Sequence, residues 1–207
     1  MTGARVYVTS PTAADCDGFI TAMRASRDLH RPWISMPQTR LEYATYLERS
    51  RTSTCAFFLA RRREDDALVG FLNVSEIVRG GFQSAFLGYG AVTPHAGQGY
   101  LGEALGLVLQ EAFGRLRLHR LEANIQPGNC ASIALARKAG FELEGFSPRY
   151  LKVGGRWRDH ERWAIRAERW RALDRSRRSA ALDGDGPSPR ASSAPSRRSR
   201  PPRARPS

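Results

Sequence analysis

The chain has 207 residues, 41% of them hydrophobic, enough for one domain with a full core plus an extension. No apolar run approaches the roughly 20 residues of a membrane span, and the N-terminus lacks a basic stretch leading into an apolar one, so a cytoplasmic protein without membrane contact is expected. The net charge of +13 is concentrated: from Glu168 onward eleven arginines face only Glu168, Asp174, Asp183 and Asp185. Cys16, Cys55 and Cys130 are odd in number and follow no metal-ligand or disulfide spacing, so reduced thiols and no metal site are expected.

Arg5-Val6-Tyr7-Val8-Thr9 alternates as a first strand, stopped by Ser10-Pro11-Thr12. Ala13 to Leu29, with Ala14, Phe19, Ile20 and Met23, predicts a helix, which His30-Arg31-Pro32 interrupts because Pro32 lacks a donor and restrains Arg31. Leu41 to Arg49 predicts a second short helix. Cys55 to Ala60, Leu68 to Val74 and the run ending at Val92 predict three successive antiparallel strands, joined by the charged turn Arg61–Asp66 and by Arg79-Gly80-Gly81. Gly97-Gln98-Gly99-Tyr100-Leu101-Gly102 then opens a helix with apolar residues at Leu101, Ala104, Leu105, Val108, Leu109 and Ala112. A strand over His119–Ile125 follows, then a helix over Cys130–Ala139 with Asn129 as its cap. A closing hairpin comes next, with one strand from Phe146 to Val153, a turn at Gly154-Gly155 and a return over Trp157–Ile165. Residues 168–207, rich in Arg, Pro and Ser, are expected to form a disordered tail behind a domain spanning 5–167.

The glycine turn carries the chemistry. A turn that feeds straight into a helix leaves backbone N–H groups unpaired at the positive end of the helix dipole, an anion site suited to phosphate. It is no P-loop, because the Lys followed by Ser or Thr is missing. Gly97, Gly99 and Gly102 do keep the spacing of a dinucleotide fingerprint, and Glu122 stands where its acidic residue would. Against that reading, the turn lies mid-chain, after a hairpin-like pair rather than at the opening of a domain.

Gly97-Gln98-Gly99 leading a helix, His119-Arg120-Leu121-Glu122, Asn129-Cys130-Ala131-Ser132 and Ala139-Gly140-Phe141 follow one another in an order that resembles the GNAT superfamily of acetyl-CoA-dependent N-acetyltransferases. Ile77-Val78-Arg79-Gly80, Leu87-Gly88-Tyr89, the Asn-x-x-Ser spacing and Trp157-Arg158-Asp159-His160 resemble its ribosomal-protein-alanine branch. The likeness runs from about Arg5 to Ala167. It implies an α/β (α+β) fold, a single domain whose mixed, mostly antiparallel sheet is splayed around the acetyl-CoA site and flanked by helices.

The resemblance also implies site roles. Ala91, Val92 and Thr93 would pair with the pantetheine amides, and an N–H near Val92 would polarise the thioester carbonyl. Gly97, Gln98, Gly99, Tyr100, Leu101 and Gly102 would cradle the pyrophosphate, and Asn129 and Ser132 would touch coenzyme A. Many relatives carry a proton-donating Tyr where this chain has Ala136, so Ser132 becomes the implied acid; Ala96 and Leu101 also depart from the family's usual residues. Glu122 is the implied base, and Trp33 and Tyr150 are the acceptor-site candidates. Simpler roles stand beside these: Asn129 and Ser132 as a helix cap, Glu122 paired with an arginine, Trp33 as a core aromatic. His30, His95 and His119 look solitary, and Asp159-His160 with Ser132 mimics a hydrolase triad only superficially. The expected reaction is acetylation of a protein's N-terminal α-amine, a ribosomal protein's in this branch. Such an amine is roughly 10% neutral at pH 7 and needs no strong base, whereas a lysine is neutral less than about 0.1% of the time. The competing readings are acetylation of a small-molecule amine, an antibiotic or polyamine, and a non-catalytic RNA or ribosome-binding module. The basic tail is expected to add at most weak RNA contact.

Overall fold

The computed structural model describes residues 1–183. Seven strands form one sheet in the order β1-β2-β3-β4-β5-β7-β6. They are β1 (Val6–Thr9), β2 (Ala56–Arg62), β3 (Leu68–Val78), β4 (Ser84–Ala91), β5 (Arg120–Ile125), β6 (Glu142–Val153) and β7 (Arg156–Arg166). Every pairing is antiparallel except β4 with β5. That one parallel contact holds only from Ser84 to Phe86, opposite Arg120 to Glu122. Beyond it the two strands part, and the sheet is splayed there.

Helices cover both faces, following the alternation of apolar residues along the strands. On one face α4 (Tyr100–Phe113) and α5 (Cys130–Ala139) pack against Leu72, Val74, Leu87, Leu121, Ala123 and Trp163. On the other, α1 (Cys16–Ala25) and α3 (Arg40–Ser50) bury Phe19, Met23, Tyr43 and Tyr46 against Phe57, Leu59 and Phe71. Thr39 starts α3 through a capping box with Glu42, each residue satisfying the other's backbone N–H. Gly140, at φ +105°, ends α5.

The expected helix from Ala13 to Leu29 is a 3₁₀ turn over Ala13–Asp15, then α1, then the short α2 (Arg27–His30). It breaks at Ser26, which is fully buried and whose hydroxyl accepts the Thr93 N–H at 2.9 Å. A tertiary hydrogen bond there outweighs local helix propensity. The tail needs a larger correction. Residues 167–183 are helical (α6, Ala167–Asp183), and Trp170 is buried in the core beside Ile165 and Phe141. Composition after residue 168 is polar on average, but one buried indole outweighs several solvated arginines. The compact unit runs from Met1 to Leu173, and a second unit begins at Asp174. The expected RNA contact falls mainly on residues 184–207, outside the described residues.

Candidate active site

The splay between β4 and β5 opens into a cavity of about 370 Å³. Its walls come from both faces of the sheet. From the α4/α5 face come Gly97, Gly99, Leu101, Gly102, Asn129 and Ser132; from the α1/α3 face come His30, Trp33 and Ile34. Tyr89, Gly90 and Ala91 of β4 form the lip between the two.

The glycine turn behaves as its spacing predicts. Gly97 and Gly99 have φ of +78° and +84°, a region that side-chain-bearing residues enter at a cost. Gly99 is the cap residue of α4 and has no side chain to offer, so the N–H groups of Tyr100, Leu101 and Gly102 meet no capping acceptor. Arg5 braces the turn from behind: its guanidinium donates to the Gln98 carbonyl at 3.2 Å and lies 4.8 Å above the Tyr100 ring. Glu103 takes the backbone N–H groups of Arg5 and Val6 at 2.7 and 3.2 Å, which ties β1 to the start of α4. These bonds hold its carboxyl below the usual range. Gln98 and Tyr100 belong to the turn but do not face the cavity; the Gln98 amide is spent on the Pro94 carbonyl.

The strand edge differs from expectation. The Val92 N–H is bonded to the Val69 carbonyl and the Thr93 N–H to Ser26, so neither is available to polarise or pair with a substrate. Antiparallel alternation turns the backbone groups of Tyr89 and Ala91 away from β3 and into the gap. The Ala91 carbonyl is already taken by His30 Nε2 at 2.8 Å, so the imidazole carries its proton there. Burial, edge-on to Phe71, favours the neutral ring and lowers the His30 pKa. What remains for a substrate is the Ala91 N–H and both backbone groups of Tyr89.

Asn129 caps α5, its Oδ1 accepting the Ser132 N–H at 3.2 Å. The Ser132 hydroxyl does not join that cap. It donates to the Tyr89 hydroxyl at 2.9 Å, while the Tyr89 hydroxyl donates to the Ser132 carbonyl at 3.2 Å. Burial pushes the Tyr89 phenol up to about 12. Tyr89 was not singled out for chemistry from the sequence, although its flanking Gly88 and Gly90 are the signal of a strand that something approaches closely.

Glu122 lies on β5, buried, with one oxygen 2.6 Å from Arg120 and the other, Oε1, buried without a partner. It does not line the cavity. The arginine pairing weighed for it is present, while its remaining oxygen carries no hydrogen bond. Trp33 does line the cavity, and Gln126 at the end of β5 fixes it by donating to the Trp33 carbonyl at 3.2 Å. Tyr150 is not there; it sits on β6, edge-on to His160 with ring centres 6.4 Å apart. His160 is bonded to the Arg158 carbonyl and burial lowers its pKa, while Ser132 turns to Tyr89, so no triad forms. Among the described residues no group of His, Cys, Asp and Glu is placed to hold a metal.

A glycine turn with uncapped N–H groups, a parted pair of strands with unspent backbone groups and a hydroxyl pair meet at one cavity, the arrangement expected of an acyl-CoA-dependent transferase. The chain belongs to the GNAT family: residues 5–142 match the family described as Acetyltransferase (GNAT) domain. It is 40% identical over 124 residues to the probable N-acetyltransferase YjcK of Bacillus subtilis, covering 60% of this chain and 67% of that one. It is 35% identical over 107 residues to the [ribosomal protein uS5]-alanine N-acetyltransferase of Escherichia coli, covering 52% of this chain and 55% of that one. The structure of Mycobacterium smegmatis RimJ in complex with CoA-disulfide superposes with a TM-score of 0.72 at 27% identity, covering 82% of this chain and 90% of that one.

Proposed function

We propose that the protein transfers an acetyl group from acetyl-CoA to the N-terminal α-amine of a protein, a ribosomal protein in the first instance. The observation that carries this is a single cavity at the splay that is lined by the glycine turn with its uncapped N–H groups from one face of the sheet and by His30, Trp33 and Ile34 from the other. Acetyl-CoA supplies the activated acyl group. The uncapped N–H groups from Gly97 to Gly102 bind its pyrophosphate, and the Tyr89 and Ala91 backbone groups align the pantetheine arm. The Ala91 N–H replaces the Val92 N–H as the donor toward the thioester carbonyl.

Magnitudes decide the acid's role. A phenol near 12 cannot fully protonate a thiolate whose own pKa is about 8.5. The Tyr89–Ser132 pair therefore stabilises the leaving sulfur by hydrogen bonding, and the proton that finally reaches it originates on the amine. Two protons leave an ammonium acceptor. The first, shed before attack, goes through water to Glu122 Oε1, which lies outside the cavity lining and has no partner; the second, released as the tetrahedral intermediate collapses, is the one that reaches the sulfur. One carboxylate already shared with Arg120 is a poor host for a polyamine's several charges, which favours an α-amine over that class of acceptor.

The test is a titration of the full chain with acetyl-CoA, followed by thiol release with peptides that copy ribosomal N-termini and with small amines. Micromolar binding and peptide-dependent release are expected. Release with small amines alone would transfer the activity to that class, and absence of acetyl-CoA binding would remove the enzyme reading altogether.

A further inference from the structure

Four side-chain polar atoms are buried without a partner among the described residues: Glu122 Oε1, Asn124 Oδ1, Arg158 Nε and Arg162 Nε. All four lie on one face of the sheet. Leu121, Ala123 and Ile125 of β5 and Trp163 and Ile165 of β7 are buried under α4 and α5. Strand alternation therefore places Glu122, Asn124, Arg158 and Arg162 on the opposite side. Asn124 and Arg162 are direct cross-strand neighbours. On the adjoining strand β4, Gly88 leaves this face open: a Cβ there would meet nothing within 4 Å.

The four atoms divide by chemistry. The two on β5 are acceptors and suit an amine; the two on β7 are donors and suit an anion. Neither Arg158 nor Arg162 has a carboxylate partner among the described residues, although both are half-buried. An uncompensated guanidinium in such a place costs stability, and it is the group best matched to a planar carboxylate. Its reach is fixed by Gly145, where an added Cβ would lie 2.6 Å from the Arg162 Nη2. The Arg162 side chain thus crosses β6, two strand spacings from β5, or about 10 Å. An extended peptide covers that distance in about three residues.

We propose that Arg162, seconded by Arg158, binds an acidic side chain within roughly the first four residues of a peptide acceptor. This rests on the cavity being an acetyl-transfer site, and it adds a specificity that the transfer chemistry does not require. A free amino acid, with amine and carboxylate separated by a single carbon, is too short to use both ends of the face.

The experiment loads the full chain with a thioether analogue of acetyl-CoA, which cannot react, and titrates two peptides that begin with alanine and differ only by glutamate or glutamine at the third position. The glutamate peptide is expected to bind about ten- to a hundredfold tighter, the usual worth of a hydrogen bond to a charged group. In Arg162→Gln that ratio falls to about one. Gly145→Ala keeps the arginine but displaces its guanidinium, and lowers the ratio part of the way. Equal binding of the two peptides by the native chain, or a ratio that survives Arg162→Gln, overturns the proposal. So does free glutamate binding as tightly as the peptide. The analogue's own titration is read first: if it does not bind, the transferase reading fails, and this inference with it.

Discussion

Substituting the three glycines of the turn and helix by alanine separates backbone strain from lost function. Gly99→Ala forces a side chain into φ +84°, where an L-residue costs about 1–2 kcal/mol, and its Cβ would sit 3.2 Å from Arg5 Nη2, crowding the brace on Gln98. Gly97→Ala carries similar φ strain, at +78°, but opens into free space. Gly106→Ala lies inside α4 with nothing near its Cβ, and should stabilise by about 0.5–1 kcal/mol. The turn can respond in two ways. It can hold its shape and lose stability, or relax and lose the N–H geometry that binds pyrophosphate. The two losses together should therefore amount to about 1–2 kcal/mol for Gly97→Ala, a factor of roughly 5 to 30 shared between folding and acetyl-CoA affinity, and more for Gly99→Ala. Urea denaturation with and without acetyl-CoA, and titration calorimetry on each variant, measure both parts. A summed loss below about 0.5 kcal/mol in both turn variants would refute the strained-turn reasoning, and native-strength binding by a variant that keeps its full stability would leave the positive-φ glycines without a role.

Tyr89→Phe removes the acceptor of the Ser132 hydroxyl and should lower kcat about tenfold or more without changing acetyl-CoA affinity; Ser132→Ala should behave alike, and an unchanged kcat in both would remove the hydroxyl pair from the reaction. Trp170→Ala should destabilise by about 3–5 kcal/mol in denaturant titration, because the indole is 7% exposed. A loss under about 1 kcal/mol would return the residue to the tail. His30 has a lowered pKa, so the unfolded chain binds its proton first. Its contribution is present above about pH 6.5 and is lost as pH falls toward the folded value. His30→Gln keeps a donor for the Ala91 carbonyl and should flatten that acid-side decline, leaving the similar slope from His160; parallel curves for variant and native protein would contradict a buried neutral His30.

Local pattern carried the parts of the fold that local physics decides. The apolar stripe of α4, the Asn129 cap and the glycine turn were legible because each rests on residues within a few positions of one another. The strand edge was not. Which N–H groups of Val92 and Thr93 are free depends on Val69 and on Ser26, far away in sequence. Tyr89 was visible as a residue, but its role needed the approach of α5 across the splay to bring Ser132 within 2.9 Å. Tyr150 was misplaced for a similar reason: a hairpin that closes a sheet can add a strand on the far side of its neighbour, and β7 stands between β5 and β6. Trp170 shows the limit of averaging composition, since a single side chain extends the core past a boundary drawn from charge.

That the cavity is walled from both faces of the sheet has a kinetic consequence for the proposed reaction. With the donor held against the glycine turn and the acceptor against the Trp33 side, neither need leave before the other enters, and both can be resident when the acyl group moves. Initial-rate plots should then intersect rather than run parallel. Coenzyme A should compete with acetyl-CoA but not with the amine, and the acetylated product should do the reverse. A single molecule joining a peptide N-terminus to coenzyme A through the acetyl carbon would occupy both sides at once and should compete with each substrate.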